Sequence, residues 1–163
     1  MLSRRGVRVI ALARREAPLE VARKLGAAVT INVTEVADVA AAVKALTDEQ
    51  RGPDCVVEAA GNPATWRQAL AMVRRGGVVN FFSGLPTDTR VEIAPAAIHY
   101  SEIKIISPFH HTPRFIREAM EAIRRGDISA QDFVTEEIGL VDLPQAFARM
   151  KARSGEIKLA VRP

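Results

Sequence analysis

The sequence predicts an α/β fold, a doubly wound parallel sheet with helices on both faces. Three observations carry this. Short apolar runs alternate along the chain with stretches of helical periodicity, the pattern of strand–helix–strand crossovers. The strand candidate VRVIAL is near-continuously apolar, as strands covered on both faces are. The helix candidates repeat one device. A capping residue followed by proline opens them, and a basic pair followed by glycine closes them, as in Asn62-Pro63 to Arg74-Arg75-Gly76 and Thr112-Pro113 to Arg124-Arg125-Gly126.

Taken in order, residues 1–6 read as the end of a helix closing on Gly6. Val7–Leu12 is a strand, Arg14 and Arg15 lie in the turn after it, and a short helix, Leu19–Leu25, takes Pro18 in its first turn and stops at Gly26. Ala28–Asn32 is a second strand. Val36, Val39, Val43 and Leu46 share a helical face, and Gln50-Arg51-Gly52-Pro53 breaks the pattern. Asp54–Ala60 is a third strand, ending at Gly61. The helix capped by Asn62 has Trp66, Ala69, Leu70 and Val73 as its buried stripe. Gly77–Phe82 is a fourth strand, ending near Gly84. A loop of roughly twenty residues follows, a length that is usually functional or holds short pieces of structure. Ile103–Ser107 is a fifth strand. The helix after Thr112 has Ile116, Ala119, Met120 and Ile123 on its inner face. In the tail, Val134–Ile138 is a strand, and Asp142 caps a short helix with Gln145 three positions on. Phe147 and Met150 face inward, and Ile157–Val161 is a last strand.

Composition narrows the function classes. The chain has 163 residues, 48% hydrophobic and 26% charged, which suits one soluble domain with a real core. No apolar run approaches the ~18–20 residues of a membrane span, and MLSRRG lacks the apolar core of a signal peptide. A cytoplasmic location is the expectation. The single cysteine, Cys55, leaves no internal disulfide and no Cys-rich zinc site within one chain; it is expected to pack as a small hydrophobe. Residues 1–25 hold seven Arg or Lys against two acids, within a net charge of +4. This patch lacks interleaved aromatics and any nucleic-acid motif, so a site for one small anion suits it better than nucleic acid.

A family resemblance rests on four runs: LEVARKLGAAVTIN, then PDCVVEAAGNPATWRQALAMVRRGGVVNFFSG, then EIKIISPFHHTP, and last GEIKLAVRP. In this order and spacing they resemble the C-terminal half of medium-chain dehydrogenases, within the zinc-dependent alcohol, polyol and threonine branch. The resemblance covers essentially the whole chain and implies a Rossmann-like domain. Residues 1–130 correspond to an incomplete dinucleotide-binding domain. Residues 131–163 form a tail that in the family packs on the catalytic domain. Family members also carry a catalytic domain with the zinc ligands, and a central strand followed by a Gly-x-Gly-x-x-Gly turn. None of these has a counterpart in this sequence, which reads as N-terminally truncated. With the central strand absent, the chain is expected to leave a gap, to pair Val7–Leu12 with Asp54–Ala59, to borrow a strand, or to be partly disordered.

The resemblance also implies site residues. NAD-selective members place an acid at the end of the strand corresponding to Val7–Leu12, where it binds the ribose hydroxyls. Here that position is Ala13 or Arg14, and the first acid is Glu16. A guanidinium pairs with a 2′-phosphate that a carboxylate would repel. NADP is therefore the expected cofactor, with NAD as a second possibility, Arg14 as the main contact and Arg15 as support. Gly61 and Gly84 end strands at the ligand-binding edge. The backbone of Phe82, Ser83 and Gly84, and of Ser107, Pro108 and Phe109, corresponds to family positions along the nicotinamide carboxamide. Lys158 aligns with a basic position that reaches the pyrophosphate. His110 and His111 read as loop-lining residues rather than metal ligands, since no acid or cysteine accompanies them at ligand spacing. His99 reads as loop or interface material. Glu58, in a strand, needs a partner if buried and is expected to be structural.

The function so implied is the nucleotide-binding part of an NADP-preferring alcohol or polyol dehydrogenase. Hydride would pass between the nicotinamide and a secondary alcohol or ketone, and zinc, held only in the absent catalytic domain, would polarise the oxygen. Alone, the chain is expected to be inactive and to bind nucleotide weakly. The expected partners are the dinucleotide and a second copy joined through a sheet edge, with no nucleic acid and no membrane. Two alternatives stand beside this: a stand-alone interaction or dimerisation module, and part of a zinc-independent quinone-reductase-like enzyme.

Overall fold

The computed structural model describes residues 2–152 and 157–163. Gly155 and Glu156, which open the GEIKLAVRP run, lie outside the described residues. The elements are β1 (Ile10–Ala13), α1 (Glu16–Lys24), β2 (Val29–Asn32), α2 (Val39–Ala45), β3 (Cys55–Glu58), α3 (Pro63–Met72), β4 (Val78–Phe81), α4 (Pro95–His99), β5 (Lys104–Ile106), α5 (Pro113–Arg124), β6 (Val134–Gly139), α6 (Leu143–Ala152) and β7 (Lys158–Arg162). The alternation is the predicted α/β order, and every described ladder is parallel. The ladders form three sheets, β1-β2, β3-β4-β5 and β6-β7. The long loop holds α4 as a short helix of its own. Among the described residues, no helix is long and apolar enough to cross a membrane.

The chain divides into two compact units, residues 1–35 with 111–163, and residues 36–110. In the second unit α3 packs on β3 and β4, and α2 lies beside α3. Strand alternation explains which side chains go inward. Val56, Glu58, Val79 and Phe81 are buried on one side of the sheet, together with Val39, Val43, Ala69, Leu70, Met72 and Val73 from the helices. Trp66 stacks on Phe81 with ring centroids 3.8 Å apart. Three of the four residues of the predicted α3 stripe are thus buried, and Trp66 is half-buried. The side carrying Cys55 and Val57 is open, with Val57 49% exposed. Cys55 therefore does not pack as a core residue. It alternates with Val56, so once Val56 turns inward Cys55 must turn outward. Local desolvation, with the Asp54 carboxylate, pushes its thiol pKa up.

In the first unit Gly6 takes the left-handed conformation that ends the opening turn, as predicted. The buried hydrophobic side chains among the described residues are Leu19, Ala122, Ile138 and Ala146. Two expectations are corrected here. Ile116, Met120 and Ile123 of α5 are half exposed, and Ala122 is that helix's buried residue. In α6, Phe147 and Met150 are exposed while Ala146 is buried. Periodicity identifies a face that calls for a cover; it does not supply the cover.

Candidate functional site

The candidate residues occupy three places: the bend after β1 and the start of β7 in the first unit, and the carboxyl edge of the three-stranded sheet in the second. In the first unit Arg14 and Arg15 form the bend between the last residue of β1 and the first of α1, and both are exposed. Arg15 holds the N-cap position of α1 in extended conformation and makes no side-chain capping bond. The neighbouring acid, Glu16, forms an ion pair with Arg23 in the last turn of the same helix, and the Arg23 Nε also donates to Thr30 Oγ1 at 2.9 Å. The bend is thus dominated by positive charge, with its nearest carboxylate already engaged. Lys158 is exposed at the start of β7, where its carbonyl accepts from the Thr135 hydroxyl.

In the second unit, the carboxyl ends of β3, β4 and β5 carry the other candidates on three adjacent turns. Parallel register sets Glu58 beside Phe81, so the turns after β3 and β4 leave the sheet together. The Phe82 and Ser83 N–H groups donate to the Glu58 carbonyl at 3.0 and 3.1 Å. Ser107 Oγ donates to the Phe81 carbonyl at 3.1 Å and ties in the turn after β5. Gly61 has φ +69°, and a Cβ there would lie 3.1 Å from the Gly84 carbonyl and 3.3 Å from Ser83 Cβ. This position needs glycine for its conformation and for the close approach. A Cβ at Gly84 would meet nothing within 4 Å, so that backbone is open to an incoming group. Phe82, Ser107, Pro108 and Phe109 are exposed, Phe109 at 87%. Phe109 lies 3.8 Å, centroid to centroid, from His110, whose φ is +63°.

The local sequence explains this arrangement. Asn62 caps α3 by accepting from the Ala64 and Thr65 N–H groups at 3.0 Å, with Pro63 in the first helical position. Thr112 caps α5 in the same way, accepting from Phe115 N–H at 3.4 Å. Sequence reasoning missed the reach of Glu58. Its Oε1 accepts from Ala60 N–H and Gly61 N–H at 2.9 Å and from Thr65 Oγ1 at 2.7 Å. An acid at the end of a strand and just before a glycine turn is the signal from which that reach can be read. Among the described residues no group of three or more His, Cys, Asp or Glu side chains is placed to hold a metal ion.

Residues 1–125 match the family described as zinc-binding dehydrogenase. The chain is 33% identical over 146 residues to sorbitol dehydrogenase of Bacillus subtilis (strain 168), covering 89% of this chain and 40% of that protein. It is 29% identical over 157 residues to an alcohol dehydrogenase of Cupriavidus necator, covering 95% and 42%. The chain therefore spans about two fifths of the length of these curated relatives. Among solved structures, one described as a zinc-binding dehydrogenase from Sinorhizobium meliloti 1021 bound to NADP superposes with a TM-score of 0.86 at 28% identity, over 96% of this chain and 45% of that one. The 2R,3R-butanediol dehydrogenase of Bacillus subtilis gives 0.81 at 25%, over 94% and 43%.

Proposed function

Since this chain belongs to the zinc-binding dehydrogenase family, we propose that it is the nucleotide-binding part of an NADP-preferring alcohol or polyol dehydrogenase. The observation that carries the reading is the bend after β1. Two exposed guanidinium groups stand there, and the nearest acid, Glu16, is turned to Arg23. Arg14 pairs bidentately with the 2′-phosphate and Arg15 supports it. Lys158 takes the pyrophosphate. In the other unit, the backbone at Gly61, Phe82–Gly84 and Ser107–Phe109 lines the nicotinamide end; the open Gly84 backbone and the tight glycine turn at Gly61 suit the approach of a flat ring. The nicotinamide supplies the hydride chemistry when bound, and the chain's residues hold and orient it. Residues 1–130 serve as the cofactor-binding part and residues 131–163 as a tail that packs on the catalytic domain. The NADP-bound Sinorhizobium structure supports the choice of cofactor.

The test is affinity for NADPH and NADH, measured by fluorescence titration of the chain and of Arg14→Ala. Loss of a charge-assisted bidentate pair predicts that NADPH binding weakens by about 10- to 30-fold, with NADH changing by less than about twofold. Equal losses for the two cofactors would refute the reading.

A further inference from the structure

Glu58 stands out among the described side chains as a buried carboxylate, 4% exposed, whose side chain bonds to the turn after β3 and to Thr65 at the start of α3, and whose carbonyl bonds to the turn after β4. We propose that Glu58 is a positioning residue for the nicotinamide end of the cofactor, fixing the turns after β3 and β4 in one arrangement. The proposal rests on the cofactor reading above and adds to it a residue that makes no contact with the cofactor itself.

The geometry separates this role from helix capping. The first N–H groups of α3 are already served by Asn62. Glu58 Oε1 instead takes the N–H groups of Ala60 and Gly61, which precede the helix, and the Thr65 hydroxyl. Its main-chain carbonyl takes the Phe82 and Ser83 N–H groups of the neighbouring turn. One residue thus grips both turns, by its side chain on one side and its backbone on the other. Between them, a Cβ at Gly61 would lie 3.1 Å from the Gly84 carbonyl, so the two turns leave little room for a side chain there. Releasing Ala60 and Gly61 frees a turn that is held at positive φ and pressed against Ser83 and Gly84. Burying a carboxylate is costly, and an apolar side chain of similar size would fill the space without that cost. All three accepted bonds fall on Oε1, while Oε2 is buried with no partner among the described residues. The bonding therefore calls for one acceptor oxygen in that place, which glutamine also provides.

The test uses Glu58→Ala and Glu58→Gln in the same chain, with two probes: NADPH, and 2′,5′-ADP, which carries the 2′-phosphate but no nicotinamide. Glu58→Ala is expected to weaken NADPH about tenfold and 2′,5′-ADP by less than about twofold, while Glu58→Gln stays within about threefold of the parent for both. A merely structural role lowers both probes together. Should Glu58→Ala fail to fold, Thr65→Val removes one of the three donors and is expected to weaken NADPH alone, by about threefold. Unchanged NADPH affinity in a folded variant overturns the proposal, as does an equal loss for both probes. A parent chain that binds neither probe overturns the cofactor reading and the proposal together, and is recognised because the loss precedes any substitution.

Discussion

In β3–α3–β4 the helix is held on its strands by Ala69, Leu70, Met72 and Val73 against Val56, Val79 and Phe81, and it starts on an asparagine that satisfies two of its N–H groups. In β1–α1–β2 Leu19 is the one buried hydrophobic side chain among the described residues. The helix there starts at Arg15, with no side-chain capping bond. The two segments share one topology and spend it differently. The first builds a packed wall that fixes three turns at a sheet edge; the second carries an exposed pair of guanidinium groups at the end of a strand. A strand–helix–strand unit can thus serve to immobilise backbone or to present charge, and the burial of its helix separates the two.

The sharpest challenge to this contrast is a pair of core truncations. Phe81→Ala removes a side chain 2% exposed and stacked on Trp66, and is expected to cost about 3–5 kcal/mol. Leu12→Ala, at a position 37% exposed, should cost under about 1 kcal/mol. Urea unfolding measures both, with Trp66, the single tryptophan, as the fluorescent reporter for Phe81→Ala and backbone dichroism for Leu12→Ala. Equal losses would erase the distinction. A smaller effect is expected at the helix start. Asn62→Ala should destabilise by about 1 kcal/mol in urea unfolding, whereas Arg15→Ala, which removes no side-chain capping bond, should cost less than that. The smallest concerns acid. The Arg74 guanidinium donates to Asp54 Oδ1 at 2.6 Å and holds that carboxyl below its ordinary value of 3.8. A carboxyl lowered by folding adds stability above its unfolded pKa and loses it as the pH falls through the folded value. Asp54→Asn should therefore reduce the acid-induced fall in melting temperature, by only about 1 °C because the pair is largely exposed.

Much of the fold is legible in the sequence because its signals are local. Asn62-Pro63 and Thr112-Pro113 start helices where capping chemistry says they should, and the strand runs lie within a few residues of the observed strands. The illegible parts depend on what is distant. The α5 stripe of Ile116, Met120 and Ile123 has helical spacing, yet these residues stand half exposed, because spacing says nothing about a neighbouring surface. The residue type of Cys55 suggests a small packed hydrophobe, while alternation with Val56 sets it outward. At the candidate site, Gly61 and Gly84 are visible as strand ends, but their close approach is not, since it depends on the parallel register of β3 and β4. Arg14 lies in the turn where the sequence places it, directly after the observed end of β1.

Each ladder joins strands that follow one another along the chain: β1 with β2, β3 with β4, β4 with β5, and β6 with β7. During synthesis, each pairing becomes possible as soon as its second strand has emerged, with its crossover helix already made. The β3–β4 wall can close while α5 and the tail are still being translated. Parallel sheets fold slowly when their strands must wait for distant partners; this order of pairing shortens the wait within each ladder, while the unit made of residues 1–35 and 111–163 closes only after the tail has emerged.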